Sequence, residues 1–253
     1  MKKILSVTIV SAILGFIAPC LTVSAQEYTV DVSFMSKYVW RGAVFAQDGV
    51  LEPSFSGGMG NLSVNLWGNM DLTDENGSKS DKKLNEWDYT VDYSRACRFN
   101  ENLGISFGVI GYTFPHGGGY TNEIYVGACY DIIGSPSVTI YQDVEAVDGT
   151  YASFSAGFSF PVSDLTSIDV SGAVGFGSED MNIALYGLPD SGAGLSDALI
   201  GVSVPFKIGE NYSITPSVLV TSILDKEGSD AYDADDDLDP TNLLFGLTFS
   251  AAF

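Results

Sequence analysis

The sequence predicts an all-β fold: a closed antiparallel up-and-down transmembrane β-barrel of about 12 strands. Apolar and polar residues alternate in one segment after another, which is the period of a strand with two different faces. The composition agrees, with 28 glycines, 12% aromatic residues and only 17% charged residues, a balance typical of many strands joined by tight turns. Beyond residue 25 no apolar run approaches the roughly 18 residues that a spanning helix needs, so a membrane crossing would require strands closed into a barrel.

The first 25 residues predict a cleaved export signal. Lys2 and Lys3 precede an apolar run over 4–21, and the small residues Val-Ser-Ala follow at 23–25. This order is that of a secretory signal peptide, and a retained transmembrane helix is the alternative. We therefore expect a signal peptide over 1–25 and a single barrel domain over 26–253.

The first six strands alternate clearly. In the first, predicted over 28–41, Val30, Val32 and Phe34 share one face, while Asp31 and Ser33 share the other. The predicted strands two to six span residues 50–58, 61–72, 86–96, 102–114 and 120–131. Their apolar faces are predicted to meet lipid and their polar faces to meet the lumen.

The last six strands complete the predicted wall. They span residues 137–145, 150–160, 167–177, 196–207, 212–223 and 242–253. The first of these alternates least well, whereas the second places Phe154 and Phe158 on one face. The final strand carries Phe249 and Phe253 on its apolar face, and it resembles the closing strand of bacterial outer-membrane barrels, whose last aromatic residue the assembly machinery reads. We take these two phenylalanines as a C-terminal assembly signal.

The predicted connections alternate between short turns and long polar loops. Turns of a few residues follow the even strands, and long loops, including 73–85, 178–195 and 224–241, follow most odd strands. Outer-membrane barrels have this asymmetry, with short turns on the periplasmic side. Aromatic residues near both predicted rims, Trp40 and Trp87 among them, suggest two interfacial girdles.

A motif near the start of the predicted barrel carries a family resemblance. Ser36, Tyr38, Arg41 and Gly42 form an S-x-Y-x-x-R-G pattern that resembles the opening strand of the TorF family of porins. The stretch 108–127 also looks like that family's central strand pair. The resemblance implies a small outer-membrane barrel acting as a channel of undefined solute, and it supplies no catalytic residue.

The lumen is the predicted functional site, because charges on the inner face need water or partner charges. The predicted pore-lining residues are Asp31, Lys37, Arg41, Asp71, Asp88, Asp92, Glu123, Asp143, Asp169 and Asp197, with Asp131 and Glu145 on the same faces. These charges could pair into a plug or line a narrow aqueous path. Because carboxylates outnumber bases, the sequence favours a narrow, cation-preferring channel. Arg41 is predicted either to line the constriction or to lie at the interface.

We expect no catalysis and no cofactor. The single histidine, His116, precedes three glycines and lacks the serine partner of a hydrolase. The acidic loop 225–239 has aspartates at alternate positions but lacks the glycine and glutamate of a calcium loop. A net charge of −21 argues against nucleic-acid binding. The expected partners are outer-membrane lipid, lipopolysaccharide and the barrel assembly machinery. A non-conducting surface barrel, a lipid-modifying enzyme and a secreted β-sandwich are the alternatives.

Overall fold

The computed structural model describes residues 27–74, 82–235 and 238–253. These ranges contain fifteen strands and two helices. In chain order they are β1 (Glu27–Met35), β2 (Tyr38–Trp40), β3 (Ala43–Ala46), β4 (Val50–Met59), β5 (Leu62–Asp71), β6 (Leu84–Cys97), β7 (Asn100–Phe114), β8 (Gly119–Tyr130), β9 (Ser137–Asp143), β10 (Thr150–Ser163), β11 (Thr166–Gly177), α1 (Glu179–Tyr186), β12 (Gly194–Ser203), β13 (Phe206–Ile208), β14 (Tyr212–Ile223), α2 (Lys226–Asp233) and β15 (Thr241–Ala252).

Thirteen of the strands form one closed antiparallel sheet, and β2 and β3 form a separate two-stranded hairpin. The short β13 follows β12 and pairs with the same two neighbours, so the two together form one wall strand. The wall therefore has twelve strands, as the alternation predicted. The first and last strands close it, with Val32 opposite Phe249. A reciprocal pair of backbone hydrogen bonds joins Tyr28 to Phe253 at 3.2 and 2.9 Å, so the seam is paired to its end.

The outer surface is apolar, as the predicted faces require. Phe154 is 52% exposed, and Phe158 and Phe249 are also exposed. Their neighbours Ser153, Ser155 and Thr248, one position away, are buried. Because adjacent strand residues point to opposite faces, the phenylalanines point away from the lumen. This arrangement suits a surface that contacts lipid, since so large an apolar area is costly in water.

The first predicted strand is wrong beyond Met35. The segment predicted to continue through residue 41 leaves the wall and folds into the barrel as the β2–β3 hairpin. Its two-residue turn is Arg41-Gly42, with φ of 48° and 82°, the left-handed pair that favours tight hairpins. The motif that suggested the TorF family therefore lies in this inner hairpin and not in a wall strand.

The connections confirm the predicted asymmetry. The hairpin, α1 and α2 all lie in long connections at one end, and the β4–β5, β6–β7 and β10–β11 turns at the other end are short. The helix α2 occupies part of the acidic segment that was predicted to be a loop, and the side chain of Asp225 caps its N-terminus. Residues 236 and 237 of that segment lie outside the described residues, as does the predicted signal peptide.

Two further features concern a cysteine and the helices of the described ranges. Cys97 is a free thiol on β6. Neither of the two described helices is long and apolar enough to cross a membrane.

Candidate functional site: the barrel lumen

The inner face differs between the two ends of the barrel. Toward the short turns it carries small hydroxyl side chains, all buried: Ser106, Ser171, Ser213, Thr215 and Ser250. Toward the long loops it carries charged and aromatic groups that surround the β2–β3 hairpin and α1. Small polar side chains leave room along the axis, whereas the hairpin and the aromatic groups fill it. The interior is therefore filled at the level of the hairpin.

The hairpin is joined to the wall by a buried bidentate ion pair. Arg41 Nη1 donates to Glu123 Oε1 at 2.7 Å, and Arg41 Nη2 donates to Oε2 at 2.8 Å. The two side chains are only 2% and 1% exposed. The hydroxyl of Tyr112 donates a third hydrogen bond to Glu123 Oε2 at 2.9 Å. A fork-shaped guanidinium matches a carboxylate in this geometry, so it fixes both the position and the orientation of the hairpin turn.

Aromatic rings enclose the guanidinium of Arg41. Its Cζ lies 4.3 Å from the ring centroid of Trp40, 4.2 Å from that of Tyr151 and 5.0 Å from that of Tyr141. A cation over aromatic faces is attracted by their quadrupoles, more strongly where water is excluded. The hydroxyl of Tyr151 in turn donates to Asp197 at 2.8 Å. Arg41 therefore lies inside the barrel and not along the lipid interface.

Trp40 also differs from its predicted place in an outer aromatic girdle. It is half-buried inside the barrel, and its ring packs edge-on against Tyr112 at 5.6 Å. The cause is the inward turn of the chain after Met35, which carries the whole predicted end of the first strand into the lumen. Trp87, by contrast, is exposed on the outer face.

The helix α1 covers the ion pair from the long-loop side. Ser178 caps its N-terminus through the amide of Met181, and the sulfur of Met181 lies 3.6 Å from Arg41 Nη1. At the other end of α1, the hydroxyl of Tyr186 donates to the carbonyl of Ser196 at 2.8 Å. The hydroxyl of Tyr186 also donates to the carbonyl of Arg41 at 3.3 Å, and Ser178 accepts from the amide of Thr150 at 3.0 Å, so both ends of the helix are tied to their surroundings.

The remaining predicted lumen residues have separate partners. Lys37 donates to Gln47 at 3.1 Å and to Asn242 at 2.8 Å. Asp92 accepts from Tyr125 at 2.7 Å, and Asp31 accepts from Ser54 at 3.5 Å. These contacts stay within the barrel. Asp169 accepts from Ser159 at 2.6 Å, and Asp71 accepts from Asn69 at 3.2 Å.

Asp143 holds a turn. Its Oδ1 accepts from the backbone amides of Glu145, Val147 and Asp148, and its Oδ2 accepts from Thr121. A carboxylate that accepts several backbone amides stabilises a connection. The side chain of Glu145 is exposed beside it, and Asp131 is exposed near the opposite rim.

Two buried acids were missed by the sequence analysis. Glu52 on β4 and Glu86 on β6 are both buried, and Asp88 lies one alternate position beyond Glu86. Glu52 lies on the inward face of β4, since Val50, Glu52 and Ser54 occupy alternate positions and are all buried. Alternation in the predicted second strand could therefore have identified Glu52.

His116 is exposed in the turn between β7 and β8. Across these residues, no group of three or more histidine, cysteine, aspartate or glutamate side chains is arranged to hold a metal ion.

The fold is that of a twelve-stranded porin-type β-barrel. Two solved porin structures resemble it. The match to the NanC porin has a TM-score of 0.55 and 10% sequence identity, and it covers 90% of this chain and 99% of the NanC chain. The match to the KdgM porin has a TM-score of 0.52 and 10% sequence identity, and it covers 89% of this chain and 99% of the KdgM chain. No family model matches the sequence, and no curated protein matches it. At this level of identity the likeness concerns the fold.

Proposed function

We propose that this protein is a porin-like channel of a bacterial outer membrane that passes small solutes by passive diffusion. The observation that carries the proposal is a closed barrel with an apolar exterior and a polar interior, narrowed by a hairpin that does not belong to the wall. Twelve strands enclose more space than the filled eight-stranded barrels and less than the open sixteen-stranded porins. The pore is therefore narrow, and the β2–β3 hairpin sets its width.

The interior charge favours cations. Arg41 is neutralised by Glu123, which leaves Lys37 as the other base among the predicted lumen residues. Carboxylates on the inner face include those of Asp31, Asp88 and Asp197. Acidic groups along a narrow path attract cations and repel anions, so the channel prefers cations.

Planar-bilayer recording across a potassium chloride gradient tests the proposal. We expect discrete conductance steps and a reversal potential of the sign that cation passage produces. A reversal potential of the opposite sign would contradict the proposed preference for cations. The absence of conductance would instead support a non-conducting surface-interaction barrel, which is favoured by the burial of the hairpin and α1 against Tyr141, Tyr151 and Ile223.

The location follows from the same features. We propose export through a cleaved signal peptide over 1–25, insertion by the assembly machinery through Phe249 and Phe253, and contact with lipopolysaccharide at the outer rim. The motif at Ser36–Gly42 supports membership of the TorF family of porins. Fractionation of cells, followed by N-terminal sequencing of the outer-membrane form, tests this location. We expect a mature chain that begins near residue 26. Recovery of the protein from the soluble periplasm would contradict the proposal.

A further inference from the structure

Three oxygen-bearing side chains lie at one level on β4, β5 and β6. Asn69 on β5 stands directly opposite Glu86 on β6. On the other side of β5, the register of β4 places Glu52 at the level of Asn69. All three are buried. The row crosses the inner face of the wall beside the β2–β3 hairpin, where the rings of Tyr38 and Trp67 pack at 5.6 Å.

Three oxygens of this row are left without hydrogen-bond partners, whereas Glu86 accepts a hydrogen bond from Tyr38. Both carboxylate oxygens of Glu52 and the Oδ1 atom of Asn69 are buried and accept no hydrogen bond. Glu52 is only 1% exposed. Arg41 pairs with Glu123 and Lys226 pairs with Asp230, so neither of these two bases neutralises Glu52. A buried carboxylate with no partner is strongly disfavoured, so it must have a counter-charge or become neutral.

The second carboxylate makes the need for a counter-charge greater. Glu86 acts on Glu52 electrostatically, and Asp88 also lies close enough to act on Tyr38 beside them. Like charges in a site from which water is excluded raise each other's free energy. A single positive ion between the carboxylates would offset both penalties at once.

We propose that Glu52, Asn69 and Glu86 bind a hard divalent cation, with Ca²⁺ as the best fit. Two carboxylates balance the charge of one divalent ion, and the amide oxygen of Asn69 is a type of ligand that Ca²⁺ accepts. Mg²⁺ fits less well, since it usually keeps several waters in a strict octahedron and these oxygens are closed to solvent. The proposed ligands are two carboxylates and one amide, so they are not one of the groups of three histidine, cysteine, aspartate or glutamate side chains considered above.

The proposed cation site lies beside the surface of the β2–β3 hairpin that packs against the barrel wall. Tyr38, the first residue of β2, is buried against Trp67 and acts electrostatically with Glu52 and Glu86. A cation here stabilises the wall where the hairpin packs. Binding and stability can be measured whether or not the barrel conducts, so the fate of this proposal is separate from that of the channel.

Terbium luminescence on the whole refolded barrel tests the site. Tb³⁺ replaces Ca²⁺ at oxygen sites, and Trp67 beside the row would sensitise its emission. We expect saturable emission that Ca²⁺ displaces, and affinity more than about tenfold weaker in Glu52→Gln. The matched control is Glu145→Gln, which alters an exposed acid on the same chain. Trp67→Phe should remove most of the sensitised emission while calorimetry still detects Ca²⁺ binding.

Urea unfolding with and without Ca²⁺ is a second test, which does not require the variants to be as stable as the parent protein. Without Ca²⁺, Glu52→Gln removes a buried charge and should unfold at a higher urea concentration than the parent protein, whereas Ca²⁺ should stabilise the parent more than the variant. Glu86→Gln should behave in the same way. Unchanged affinity in both variants, or no saturable binding by the parent barrel, would overturn the proposal. Loss of binding only on neutralising the exposed acids of 225–235 would also overturn it, by placing the ion in that loop.

Discussion

At the residue scale, the interior depends on one charge pair. Arg41 is placed in the lumen by a turn that needs two left-handed residues, and it reaches Glu123 with both terminal nitrogens. The rings around it exclude water, which strengthens the interaction and also makes an unpaired partner costly. The pair therefore matters most when only one member is lost.

Arg41→Met should destabilise the barrel by about 3–5 kcal/mol, because it leaves Glu123 buried without its counter-charge. The double variant Arg41→Met with Glu123→Gln should recover a large part of that loss. Urea unfolding in detergent micelles, followed by tryptophan fluorescence, measures both. Equal destabilisation in the single and double variants would contradict the pairing argument. Glu145→Gln, at an exposed acid, serves as the control.

Gly42 is required for a different reason. Its φ is 82°, and a Cβ added there would lie 2.9 Å from Cβ of Asp197. Gly42→Ala should therefore combine backbone strain with a steric clash and cost about 1–3 kcal/mol. Gly60 is a matched control, because its φ is 67° and a Cβ there meets nothing within 4 Å. The same unfolding assay should find Gly60→Ala milder, and similar losses would rule out the clash.

At the element scale, the β2–β3 hairpin is the part that folds into the lumen, and we propose that it sets the width of the pore. It belongs to a separate sheet from the wall, and it packs against Met35, Val50 and Trp67 on one side and against the ion pair on the other. Removing it would leave all wall pairings in place. The wall pairings and the filling of the lumen are therefore separable properties in this fold.

Replacing residues 38–46 with a short glycine-serine linker should raise single-channel conductance severalfold while the barrel still folds. The reason is that the linker cannot fill the outer half of the lumen. Bilayer recording measures the conductance, and circular dichroism checks the strand content. A comparable replacement of the helical segment 226–233, which lies in the loop after β14, is the control. Unchanged conductance after loss of the hairpin would place the constriction elsewhere.

At the scale of the whole molecule, closure is the property on which the rest depends. The β1–β15 seam pairs from Thr29 with Ala252 to Met35 with Gly246, so the wall has no free edge. A closed ladder satisfies every backbone group of the sheet, which lipid demands. The exposed side chains of Phe249 and Phe253 lie on the outer surface of this seam.

Phe253→Ala should lower the amount of folded protein in the outer membrane but change the stability of the refolded barrel little. The side chain is 66% exposed, so it contributes little internal packing, whereas the assembly machinery is proposed to recognise it. The heat-modifiable shift on unheated SDS gels measures the folded fraction in membranes, and urea unfolding measures stability. Phe160→Ala, another exposed phenylalanine, is the control. Equal folded amounts in cells would argue against the assembly signal.

The wall was readable from the sequence because strand periodicity is local. Most wall strands alternate apolar and polar residues over about ten positions, and this pattern depends only on which face meets lipid. The count of twelve, the outward phenylalanines and the uneven connections followed from it. The first strand was the exception, since Tyr38 and Trp40 continue the alternation after the chain has left the wall.

The contacts between side chains inside the barrel were decided by the tertiary structure. Whether residues 38–46 extend the wall or fold into the lumen depends on Arg41 meeting Glu123, which is 82 positions away on β8. The proximity of Glu52 to Glu86 likewise depends on sheet register. Local alternation determined which side chains point inward, but only closure of the barrel decided which of those side chains meet, because buried charges select partners by distance in space.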